Sequence, residues 1–297
     1  MGLNVTRPAV PVIASTTRSL LGESPRWDSD RQSLWWVDIS GSSLHELRID
    51  GSETTYSLEH SAGAVNLCAN GSLLLATTVG LELLDPQTMA TTIAASIESD
   101  APDRRMNDAA IDSSGRVFAG TMRWDAGAPP HDGVLYRYDD GNATPVLTNL
   151  GCPNGMAWPR RDLLAFIDSI ARRIDLWTVD PTTGALVASR DAIDLSRFDG
   201  IPDGMTVDSE GALWVAFWGG GAVRRLSLDG AVLSTVELPT PLVSSVGFGG
   251  IDLSTLYITT AVQAGEPAGD DGAGFLYRCT PGQIGVAPYR WGGAGSG

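Results

Sequence analysis

Short apolar runs recur along this chain at nearly constant spacing. They occupy residues 34–37, 73–76, 117–120, 163–166, 213–216 and 256–259, and the first reads Leu34-Trp35-Trp36-Val37. The five intervals between Leu34 and Leu256 average about 44 residues, the period of a propeller blade. Each run is followed by a second segment, for example Val134-Leu135-Tyr136-Arg137-Tyr138 or Ile174-Asp175-Leu176-Trp177-Thr178-Val179. Most of these alternate apolar with polar residues and stop at Asp-Gly, Asp-Pro or Pro-Gly, as strands bounded by turns do. No stretch carries a sustained helical period. The pattern predicts an all-β chain, a six-bladed β-propeller of four-stranded blades forming one domain over residues 10–291. A pair of β-sandwiches is the competing architecture. Strands at 256–260, 275–278 and 286–289 leave the last blade one short. Residues 10–14 are expected to supply the missing strand, since an unclosed ring would expose unpaired edges. The glycine-rich residues 292–297 read as a flexible tail.

A polar series keeps step with these repeats. Glu23, Gly63, Asn107, Asn154, Asp203 and Ser244 each stand four residues before an apolar residue and about ten before an apolar run. Equivalent positions in repeats arranged around a ring converge on its axis. Glu, Asn and Asp gathered there make an oxygen-rich pocket suited to a hard cation such as Ca²⁺, Mg²⁺ or Mn²⁺. Zn²⁺ also accepts carboxylate oxygens, so the residues leave the metal open.

The bulk numbers narrow the class of partner. A net charge of −15 argues against nucleic acid and against an anionic membrane surface. No apolar run is long enough to span a bilayer as a helix, and residues 1–19 do not read as a signal peptide. Cys68, Cys152 and Cys279 show no CxxC spacing and fit a reducing compartment, so a cytoplasmic location is expected. The three histidines, His45, His60 and His131, form no HExxH pair and lie outside the axial series. There is no GxSxG elbow for a serine hydrolase and no glycine-rich loop between a strand and a helix for a nucleotide.

Several motifs in order resemble the SMP-30/gluconolactonase/luciferin-regenerating-enzyme family. They are Gly22-Glu23-Ser24-Pro25-Arg26-Trp27, Arg105-Met106-Asn107-Asp108, Asp112-Ser113-Ser114-Gly115-Arg116, Ala119-Gly120-Thr121-Met122, Pro153-Asn154-Gly155-Met156 and Pro202-Asp203-Gly204-Met205. Ala109 departs from the glycine that some members carry, a change confined to loop geometry. The resemblance implies a six-bladed propeller with one divalent metal near its axis, bound by Glu23, Asn154 and Asp203. It places Arg105 and Asn107 against a sugar lactone, with Asp125 near the substrate. The reaction implied is lactone hydrolysis to the aldonic acid, by water activated by the metal and by Asp203 as general base. Other esters, including phosphotriesters, suit the same chemistry. A non-enzymatic propeller for calcium binding or protein interaction is the alternative of a different class, although nothing evident marks an obligate protein partner. Trp35, Trp36, Trp214 and Tyr257 lie within the apolar runs and are expected in the blade cores. Trp124 and Trp218, in loop-like stretches, are candidates for the pocket rim.

Overall fold

The computed structural model describes residues 9–125, 129–139, 141–190, 192–262 and 272–293. They contain 25 strands and no helix, arranged in six antiparallel sheets. Five sheets are built from consecutive strands of the chain, so each blade is a meander. Their innermost strands are Gly22–Asp28, Ala62–Leu67, Arg104–Ile111, Pro153–Arg160 and Ile201–Val207; the sixth is Val243–Gly249. These six strands pack side by side around the ring, each against the next, with the sixth against the first. Blade four carries one additional two-residue strand, Ile193–Asp194.

The sixth blade combines the two ends of the chain. Val12–Arg18 pairs antiparallel with Phe275–Cys279, in a register that sets Val12 against Arg278 and Ile13 against Tyr277. The ring is therefore closed by an N-terminal strand, beginning and ending later than residues 10–14. The expected strand at 286–289 is absent, because that blade already holds four strands. Instead, residues 284–291 form an irregular strap across one end of the ring. Ser209 N donates to Ile284 O and Gly285 N to Leu253 O; farther on, Trp291 N donates to Leu67 O. The Arg290 guanidinium pairs with Asp28 at 2.8 Å. The strap thus ties blades five and six to blades one and two. Residues 294–297 of the expected tail lie outside the described residues.

The second strand of each blade is covered on both faces by its neighbours, which explains its unbroken apolar run. Leu34, Trp35, Trp36, Val37, Leu213, Trp214, Val215 and Ala216 are all buried, and Tyr257 with them. The four aromatic residues are core, as their position in the repeat predicts. Outermost strands such as Thr91–Ser96 and Leu186–Ser189 are largely exposed.

Candidate active site

Every innermost strand breaks register at the axial position or just beyond it. The irregularities fall between Glu23 and Arg26, Ala62 and Ala64, Met106 and Ala109, Pro153 and Met156, Pro202 and Met205, and Val243 and Ser245. A bulge inserts an unpaired residue and re-aims its side chain. In five blades the axial residue itself is left out of the pairing; in blade one Glu23 still pairs with Val37 and the irregularity begins just after it. Gly63 is required where it stands: a Cβ there would lie 2.3 Å from Asn107 O and 2.5 Å from Met106 O.

Side chains near this level stitch three of the blade junctions. Asn107 Nδ2 donates to Pro153 O at 2.9 Å, Ser169 Oγ to Pro202 O at 2.7 Å and Ser244 Oγ to Gly22 O at 2.5 Å. In each case the accepting carbonyl belongs to the residue just before an axial one, so these bonds set where Asn154, Asp203 and Glu23 begin.

Glu23, Asn154 and Asp203 meet in a cavity of about 260 Å³, together with Arg105 and Asn107. Asn154 Nδ2 donates to Asp203 Oδ1 at 2.5 Å and to Ser169 Oγ at 3.1 Å. These bonds fix the amide so that its Oδ1 faces no protein donor among the described residues. Burial and the neighbouring Asp203 and Asp108 carboxylates push the Glu23 carboxyl well above its ordinary value. Burial likewise lifts Asp203 to about 8, partly opposed by the Asn154 hydrogen bond. Two carboxylates with no ion pair among the described residues, beside an outward amide oxygen, are donors of the kind a hard divalent cation takes. The residues present fit such an ion.

Arg105 lines the same cavity. Its Nη1 donates to Asn107 Oδ1 at 2.6 Å and to Met106 O at 3.1 Å, and Nε has no partner. The guanidinium carbon lies 5.2 Å from the centre of the Trp124 ring, within cation–π range. Both amide ends of Asn107 are committed to the protein, so it holds Arg105 in place. Trp124 and Trp218 both line the cavity, as do Cys152, Ser169 and the apolar residues Leu21 and Ile201. Asp125 is exposed and outside the lining; the strand ends at Arg123, and Trp124 takes the inward place. Sequence reasoning did not single out Ser169 or Cys152, which lie outside the axial series. Burial raises the Cys152 thiol to about 12, so it stays protonated.

Residues 21–262 match the model of the SMP-30/gluconolactonase/LRE-like region. The chain belongs to this family. Among family relatives, the pentonolactonase XacC of Haloferax volcanii is 37% identical over 287 residues, covering 92% of this chain and 95% of its own. Regucalcin of Macaca fascicularis is 32% identical over 295 residues, with the same coverage. The crystal structure of a calcium-binding protein, regucalcin, from Agrobacterium tumefaciens superimposes with a TM-score of 0.88 at 29% identity, covering 96% of this chain and 97% of that one. Within the SMP-30/gluconolactonase/LRE-like family, then, the axial residues of this chain sit on the shared scaffold.

Proposed function

We propose that this protein hydrolyses a sugar lactone to the aldonic acid, using a divalent cation bound by Glu23, Asn154 and Asp203. The observation that carries the reading is the convergence of those three donors with Arg105 in one cavity. The 37% identity to a pentonolactonase over nearly the whole chain supports the substrate class. The cation would polarise the lactone carbonyl and acidify a water molecule.

The side chains have separable tasks. Asp203 accepts the proton released as water attacks the carbonyl carbon. Arg105, buried and held by Asn107, presents positive charge to the oxygen that becomes anionic in the tetrahedral intermediate. The carbonyl then re-forms as the ring C–O bond breaks, and the departing alkoxide takes up a proton to leave a hydroxyl and a carboxylate. Trp124 stacks on Arg105 and keeps bulk water from its face, which strengthens its electrostatic action.

A panel of pentono- and hexonolactones, assayed by acid release with subtraction of spontaneous hydrolysis, tests this reading. Chelation should abolish the enzymatic rate, and a divalent salt should restore it. Full activity after verified metal removal would refute the metal-dependent reading, and no activity on any lactone would refute the substrate class.

A further inference from the structure

Most polar side chains lining the axial cavity are already committed. Glu23, Asp203 and the outward Asn154 oxygen face the proposed cation. Asn107 spends both ends of its amide, on Arg105 and on Pro153 O. Ser169 Oγ donates to Pro202 O and accepts from Asn154 Nδ2. The Cys152 thiol reaches Met122 Sδ at 3.5 Å. Apart from two indole N–H groups, that leaves Arg105 to meet the oxygens of a substrate.

The remaining lining is apolar, and most of it lies on one side of the axial level. The strap crosses the end of the ring where inner strands finish, with Trp291 N donating to Leu67 O. Glu23, Asn154 and Asp203 stand near the starts of their strands, so their cavity faces the other end. Two residues before the axial ones, and one strand repeat closer to that end, come Leu21, Arg105, Cys152 and Ile201. Met122 pairs with Arg105 and Trp218 with Ile201, so both lie at the same height. Trp124 and Ile170 line the cavity with them.

Two of these apolar side chains are left in water. Trp124 is 46% exposed and Ile170 is 38% exposed. Exposed apolar groups gathered at a cavity mark a surface that a ligand covers. The side chains of Leu21, Met122, Trp124, Ile170, Ile201 and Trp218 offer no oxygen to accept from a sugar hydroxyl. The single sulfur among them already faces Cys152. A hydroxyl pressed against this wall gives up hydrogen bonds to water without replacing them, whereas a methyl group gains by leaving water.

We infer that this cavity selects sugar lactones deoxygenated at the end remote from the carbonyl, with a terminal methyl in place of a hydroxymethyl group. The inference rests on the lactonase reading, which sets the reacting carbonyl against Arg105 and the cation. The chain on the carbon that bears the ring oxygen then points away from the axial carboxylates, toward Leu21, Ile170, Ile201 and the two indoles. Hydroxyls close to the carbonyl stay at the oxygen-rich level, and the far end meets the apolar wall.

Paired 1,4-lactones that differ by one hydroxyl test this: L-galactonolactone against L-fuconolactone, and L-mannonolactone against L-rhamnonolactone. With spontaneous hydrolysis subtracted, the 6-deoxy member of each pair that is turned over should have the higher kcat/KM, by about 10–100-fold. Ile170→Thr and Ile201→Thr each put a hydroxyl into the wall and should lower that ratio by roughly threefold or more. Equal kcat/KM within the pairs, or preference for the parent lactones, overturns the inference and leaves the lactonase reading standing. Turnover of other lactones but of none of these four does the same, as does an unchanged ratio in both variants. Hydrolysis of no lactone at all overturns the reading and the inference together. Should a variant fail to fold, the ratio measured on the unchanged protein decides.

Discussion

Without the proposed metal the fold should be sensitive to alkali, in an amount set by the axial carboxylates. Asp203 ordinarily titrates near 3.8, and burial raises it to about 8 in the folded protein. Between those values the metal-free folded state holds a proton that the unfolded chain has released. Stability is therefore greatest near the lower value, falls as pH rises through the window and levels off above about 8. At about 1.4 kcal/mol per pH unit the full descent is on the order of 5 kcal/mol, and the stretch from pH 5.5 to 7.5 is about 3 kcal/mol. For a domain this size that stretch corresponds to a fall in Tm on the order of 5–10 °C. Glu23 and Asp108 are shifted in the same direction and steepen the descent. A bound divalent cation holds the carboxylates ionised, so the gain in Tm on adding metal should widen as pH rises. Thermal unfolding in chelator and in divalent salt, from pH 5 to 8.5, measures both curves. Asp203→Asn should flatten the metal-free curve. A metal-free Tm that stays level across pH 5.5–7.5 would refute the reasoning, because it would mean that Asp203 is not strained by ionisation.

Two further outcomes are expected. Arg105→Ala should lower kcat/KM by about 10²–10³ with unchanged metal stoichiometry; loss of metal together with an intact KM would contradict its assignment to the substrate. Deleting residues 1–15 removes the pairing of Val12 and Ile13 with the last blade and the Ser15–Glu53 hydrogen bond, leaving an unpaired edge. Its Tm and solubility should fall well below those of a variant lacking residues 294–297, and equal values would move the closure elsewhere.

The axial positions were legible because one offset recurs in every repeat, and a break in register recurs at or just beyond that position. The closing strand was legible because a ring needs the edge paired. Residues 286–289 misled for a local reason: Val286, Pro288 and Tyr289 suit an extended chain, but with four strands already paired their neighbours bond to several blades at once. The position of Asp125 follows from where its strand stops, which spacing from Gly120-Thr121-Met122 does not reveal. Cys152 stands two residues before Asn154, as Leu21, Arg105 and Ile201 stand before Glu23, Asn107 and Asp203, and all four line the cavity; that second offset could have found it, whereas Ser169 is brought forward by its bond with the Asn154 amide. The commitment of both ends of the Asn107 amide was equally hidden, since it depends on a carbonyl in the next blade.

The order of blades around the ring makes the site a cross-channel device. Glu23 belongs to blade one, Asn154 to blade four and Asp203 to blade five. In a six-membered ring the first and fourth positions face each other, so the proposed ligands Glu23 and Asn154 come from opposite sides of the channel. Blades two and six add no ligand at this level: Gly63 has no side chain, and the Ser244 hydroxyl is spent on Gly22 O and Thr259 Oγ1. Blade six nevertheless stands between Asp203 and Glu23, and the N-terminal strand completes it. Ser244 ties blade six to the carbonyl that immediately precedes Glu23. Closure of the ring and spacing of the ligands are thus one mechanical problem, in which a strand paired at the outer edge fixes a gap on the axis. On the proposed ligand set, loosening that strand should weaken metal affinity even though none of its residues belongs to the set.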